Sequence, residues 1–129
     1  MLNATEIEIK SKFEESVWVK IPLLKNDHLL CGCIYNSPSS DEEKHKVLND
    51  LLCKACTLGQ NFTHTLITGD FNFPDIEWTN WLVKTDCSSD FLECLRDNYL
   101  CQLIDKPTRV RLNQDPSILD LLLVNDSNQ

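Results

Sequence analysis

No run in this sequence approaches the roughly 18 to 20 consecutive apolar residues that a membrane-spanning helix needs. The N-terminus, Met1 to Lys10, also lacks the basic start and apolar block of a signal peptide. An intracellular protein is expected, nuclear if it functions. Positive charge is scarce as well: 12 Lys and Arg stand against 20 Asp and Glu, a formal net charge of −8. That balance argues against a protein that coats nucleic acid by bulk electrostatics. It does not argue against one that cuts it, because a divalent-metal site needs clustered carboxylates and the metal supplies the charge that faces a phosphate. Repeats, low-complexity tracts and linkers are absent, and 129 residues suit one domain or part of one.

The seven cysteines are odd in number and scattered through apolar segments, unlike an evenly paired disulfide framework. Reduced, mostly buried thiols are the expectation. Cys53 and Cys56 have the spacing of a redox or zinc knuckle, but they fall in a helical stretch with no second such pair. None of His28, His45 and His64 lies where it completes a four-ligand set.

Thr5 to Lys10 alternates, with Ile7 and Ile9 on one side and Glu6, Glu8 and Lys10 on the other, as a half-buried strand does. "SVWVKIPLL" and "HLLCGCIYN" repeat the pattern around a turn at Lys25 to Asp27. From Ser39 the period changes. Ser39, Ser40 or Asp41 can cap a helix, Glu42 and Glu43 suit its first turn, and Val47, Leu48, Leu51 and Leu52 recur at helical spacing until Gly59. "HTLITGDF" reads as a strand buried on both faces, ended by a turn at Phe73 to Asp75. A second helix is expected with Ser88 or Ser89 as its cap and Phe91, Leu92, Leu95 and Tyr99 on one stripe. "KPTRVRLNQDPS" reads as a loop and "ILDLLLVN" as a last strand. Strands interleaved with helices give an α/β or α+β class with a mixed sheet.

The chemistry gathers at the end of the apolar strand. Gly69 permits close backbone approach, and Asp70 and Asn72 share one side if the extended conformation continues. A carboxylate beside an amide suits water activation next to a phosphate; an Asp and Asn turn with self-capping side chains fits the same residues. Asp120, set among Ile118, Leu119, Leu121 and Leu122, is costly to bury alone and is expected to face a polar cleft or to orient a histidine or metal. Lys106, Arg109 and Arg111 form the candidate patch for gripping a nucleic-acid backbone, with a solvated loop as the alternative. Asp75 and Glu77 read as turn and surface residues, with Trp78 packing nearby.

"GCIYNSP", "LITGDFNFPDIEW", "DFLECLRDNYLCQLIDKPTR" and "SILDLLLVN", in this order, resemble the endonuclease/exonuclease/phosphatase superfamily. The resemblance is to the apurinic-type endonuclease domain that non-LTR retrotransposons carry next to a reverse transcriptase. "GDFN" at a strand end is the superfamily's mark; Leu100, Gln102, Pro107, Thr108 and Arg109 meet the L-x-Q-x-x-x-x-P-T-R pattern of the retroelement branch. The resemblance implies a four-layer sandwich of two mixed β-sheets flanked by helices and Mg²⁺-dependent hydrolysis of a DNA phosphodiester that nicks a target site. It also implies that Asp70 orients or deprotonates the attacking water, that Asn72 holds the scissile phosphate, that Asp120 orients the catalytic histidine and that Tyr35 contacts the phosphate. Asn36 sits where the pattern varies and inherits no role.

The match runs from about Glu15 to Asn125, so residues 1–129 read as a single, truncated domain. The strand end whose glutamate is the family's main Mg²⁺ ligand has no counterpart among Glu6, Glu8, Glu14 and Glu15, and the Ser-Asp-His strand that supplies the histidine is not matched. The chain by itself is therefore expected to be inactive. A non-catalytic remnant or interaction module is the alternative from another class, and a phosphatase or exonuclease of the same superfamily is the other enzyme reading.

Overall fold

The computed structural model describes residues 3–108 and 117–125; Arg109 and Arg111 lie outside the described residues. Six strands form one mixed sheet: β1 (Thr5–Ile7), β2 (Ser16–Pro22), β3 (His28–Tyr35), β4 (His64–Asp70), β5 (Cys101–Gln102) and β6 (Asp120–Val124), in the order β1-β2-β3-β4-β6-β5. The pairs are antiparallel except for β3 and β4, which run parallel. Helix α1 (Glu42–Gly59) is the crossover between those two, as a parallel pair requires. Helix α2 is Asp86–Asp97.

Side chains alternate across the sheet. Leu30 and Ile34 of β3, Thr65 and Ile67 of β4 and Leu121 and Leu123 of β6 are buried with Leu48, Leu51, Leu52 and Ala55 of α1 and Phe91, Leu92 and Leu95 of α2. Trp18 lies over Gly32, where a β-carbon would fall 2.2 Å from the indole. The expectation that β4 is buried on both faces is corrected: Leu66 and Thr68, on the other face, are only half-buried. Both helices cover one face, so the described residues supply one sheet of the expected sandwich together with its helical layer.

Helix α1 begins where its sequence says, with Asp41 as the cap whose carboxylate accepts from the Lys44 amide at 2.8 Å. Helix α2 begins earlier than expected. Its cap is Thr85, whose hydroxyl accepts from the Ser88 amide at 3.2 Å; Ser88 is inside the first turn and buried. Tyr99 is not on the buried stripe either, being 81% exposed. The helix ends in a Schellman motif, in which the Leu100 amide donates to the Leu95 carbonyl and the Tyr99 amide to the Arg96 carbonyl. This leaves Tyr99 in the left-handed position at φ 57 that glycine usually fills.

Asp75 fastens the start of α2. One carboxylate oxygen accepts from the Ser88 hydroxyl at 2.6 Å, and the other accepts from the Lys84 amide and from the Thr85 amide and hydroxyl at 3.0 to 3.1 Å. Burial raises the carboxyl's pKa, but these donors outweigh it and hold it below the ordinary value. A depressed folded-state pKa gives stability that is present above the ordinary carboxylate value and lost as pH falls through the folded one. Asp75→Ala, which also orphans the buried Ser88 hydroxyl, is expected to cost about 2 kcal/mol at pH 7. Urea melts should show the gap between wild type and variant closing below about pH 4; a gap independent of pH would contradict this role.

Candidate active site

Three adjacent strands deliver their functional side chains in one row. Asp70, the last residue of β4, is the register partner of Tyr35 on β3 and of Asp120 on β6. The half-exposed Tyr35, Asp70 and Asp120 therefore line up on the face away from the helices. Two carboxylates far apart in the chain are thus set directly opposite each other by the antiparallel register. Such like-charge pairs oppose sheet formation, a cost that a bound cation would offset.

The extended conformation does not continue to Asn72, whose φ is 55, so the expected alternation is not what orients it. Asparagine tolerates this left-handed geometry better than most residues. A hydrogen bond sets the side chain instead: the Asn72 amide nitrogen donates to the Asn36 carbonyl. Because that carbonyl can only accept, the flip of the Asn72 amide is fixed, and one N–H remains for a ligand oxygen.

Asn36 is the residue that the sequence reading passed over. Fully buried, it donates through its backbone amide to the Asp70 carbonyl at 2.7 Å and through its side chain to the Phe71 carbonyl at 2.7 Å. It thereby grips the chain on both sides of the Asp70–Phe71 peptide while receiving Asn72. Its sequence neighbours Tyr35 and Pro38 mark a strand end, but its burial had no local signal.

Two residues of the L-x-Q-x-x-x-x-P-T-R pattern work as staples. The Thr108 hydroxyl accepts from the Leu119 and Asp120 amides at 2.9 and 3.0 Å, fixing the start of β6. The Gln102 side-chain oxygen accepts from the Ile104 and Leu122 amides at 2.7 and 3.3 Å. Lys106 is exposed between them.

The histidines stay apart from this row. His64 pairs with Leu29 at the other end of β4, roughly 20 Å from Asp70 along an extended strand, and its ring lies 3.9 Å from the Asp27 carboxylate. His28 begins β3 at that same end. His45, on α1, packs against Phe73 with ring centroids 5.1 Å apart, and burial lowers its pKa.

All seven cysteines are free. Burial and neighbouring thiols push Cys56 up to about 11 and Cys94 up to about 12, so both stay protonated near neutrality and are poor redox nucleophiles. Among the described residues, no group of three or more His, Cys, Asp or Glu side chains is arranged to hold a metal ion. The donor set at the strand ends is smaller but of the right kind for Mg²⁺, which takes one or two carboxylates and fills its octahedron with water and phosphate oxygens. Asp70 and Asp120 fit that requirement.

The sequence model of the family described as endonuclease-reverse transcriptase matches residues 29–129. None of the curated proteins compared matches significantly. Among solved structures, the endonuclease domain of TRAS1, a telomere-specific non-LTR retrotransposon, superposes with a TM-score of 0.62 at 15% identity, over 95% of this chain and 53% of that one. A β-hairpin deletion mutant of Staphylococcus aureus beta toxin gives 0.53 at 12% identity, over 87% and 44%. An endonuclease/exonuclease/phosphatase family protein from Leptotrichia buccalis C-1013-b gives 0.50 at 17%, over 86% and 42%. The chain thus spans about half the length of these structures, and at such identities the likeness shows the fold. Matched by the family's sequence model over most of its length, the chain belongs to the endonuclease-reverse transcriptase family, and its fold is that of part of an endonuclease/exonuclease/phosphatase-like domain.

Proposed function

We propose that this chain supplies the water-activating and phosphate-holding part of a DNA endonuclease domain that nicks a target strand by Mg²⁺-dependent phosphodiester hydrolysis. The observation that carries the reading is the strand-end row of Tyr35, Asp70 and Asp120, with Asn72 held beside it by Asn36. In this reading Asp70 orients or deprotonates the attacking water, the remaining Asn72 N–H binds a nonbridging phosphate oxygen, and the Tyr35 hydroxyl donates to the same phosphate. Asp70 and Asp120 would hold the Mg²⁺, which when bound neutralises phosphate charge. Lys106, Arg109 and Arg111 contact the DNA backbone. The larger context is a polyprotein with a reverse transcriptase, acting in the nucleus.

A second reading is a non-catalytic binding remnant, in which the strand-end row serves the sheet alone. Relaxation of supercoiled plasmid separates the two. The nuclease reading expects Mg²⁺-dependent nicking that EDTA abolishes once this chain is joined to the rest of a family domain; a joined, folded protein that binds DNA without nicking it would establish the remnant.

A further inference from the structure

Two rows of side chains cross the sheet on the face away from the helices. Register partners share a face, so Val19, Cys31, Leu66 and Val124 form one row and Val17, Cys33, Thr68 and Leu122 the next. Neither row carries a carboxylate, an amine or an imidazole. The one hydroxyl, on Thr68, donates to the Leu121 carbonyl at 3.1 Å and is satisfied within the sheet. Carboxylates and imidazole stand only beyond the rows, Asp70 and Asp120 on one side and His64 on the other.

A sheet that leaves one face in water ordinarily alternates apolar with polar residues. Here the four central strands are apolar on both faces, and Val17 is 56% exposed. Strands about 4.8 Å apart and about seven residues long give the free face an outline of roughly 19 by 23 Å. Joining two such faces buries about 1,000 Å² once side-chain relief is included, the size at which a specific interface begins. An uncovered apolar patch of this extent marks an interaction site.

We infer that two copies of this chain join these faces about a two-fold axis, strands reversed, as a sheet-on-sheet dimer. The placement of charge selects both the occupant and its orientation. The uncharged rows lie between the carboxylates and His64, so reversing the strands lays rows on rows and sends the two Asp70 and Asp120 pairs to opposite ends of the interface. Aligned strands would stack all four carboxylates. The rows hold no cation to meet a phosphate, which sets nucleic acid aside. Because each copy carries a formal net charge of −8, added salt should tighten the pair.

Sedimentation velocity of the full chain, in reducing buffer over a range of concentrations, should show a monomer passing to a dimer and to no larger species. Val17→Lys, and independently Cys33→Asp at another exposed position of the same row, each set a charge inside the joined faces and should weaken association at least about 10-fold. Leu24→Lys, 86% exposed at the tip between β2 and β3, should leave it unchanged. Alkylation locates the contact: Cys33 should react more slowly as the dimer forms, and Cys53, exposed on α1, should not. A monomer at every concentration overturns the inference and leaves the face to the second sheet of the expected sandwich. Association that survives both charged variants, that shields Cys53 as much as Cys33, or that runs on to larger assemblies overturns it as well.

Discussion

Gly69→Ala is expected to cost more than about 4 kcal/mol, enough to leave the chain insoluble or unfolded. Two independent reasons combine. Gly69 has φ 142, a conformation that L side chains rarely adopt, and a β-carbon there would lie 1.9 Å from the Ile34 carbonyl oxygen. Ile34 and Gly69 are register partners in the parallel pair of β3 and β4, immediately before Tyr35 and Asp70. The added methyl must push the two central strands apart where they deliver the site. Gly32→Ala makes the instructive comparison, because the atom it meets belongs to the Trp18 side chain. Shortening Trp18 should rescue part of that loss, whereas no side-chain change relieves a clash with backbone. Soluble yield and urea unfolding of the two alanine variants, with and without Trp18→Leu, decide the point; a stable Gly69→Ala protein would show that the strands are less tightly joined.

That dependence on a pairing explains which parts of the molecule were legible in the sequence. β2, β3 and α1 were readable because period, cap and breaker all lie within a short window: Asp41, the acids after it and the leucine spacing agree. The end of α2 misled because Tyr99 continues the i, i+4 series of Phe91 and Leu95, while the Schellman bonds that end the helix are backbone events. Its start was missed although Thr85 followed by Asp86 carries a cap signal; Ser88 and Ser89 offered the same chemistry one turn later. β5, two residues long, exists through its pairing with β6 and has no pattern of its own. At the site, Asp70 and Asn72 were visible as a motif, but the opposition of Asp70 and Asp120 depends on a register between strands distant in sequence. The burial of Asn36 depends on the same assembly.

Asp70→Asn should separate function from stability. If Asp70 orients or deprotonates the attacking water, loss of its charge should lower Mg²⁺-dependent nicking at least about 100-fold. Stability should change far less than activity. Asp70 faces Asp120 directly across the antiparallel pair, and relief of a like-charge pair of this kind is worth roughly 0.2 to 1 kcal/mol. The amide matches the carboxylate in size but turns one of its two acceptor oxygens into a donor, so the packing survives the exchange while the charge and one acceptor are lost. Asn36→Ala is the contrasting variant: it orphans the Phe71 carbonyl in the interior and should lower stability by about 1 to 3 kcal/mol together with activity. Nicking rates and thermal unfolding measured on both variants therefore give two signatures, activity lost with the fold intact and both lost together. Unchanged nicking in Asp70→Asn would sink its assignment as the water-activating group. A fall of several degrees in its Tm would make Asp70 a structural residue whose position opposite Asp120 serves the sheet.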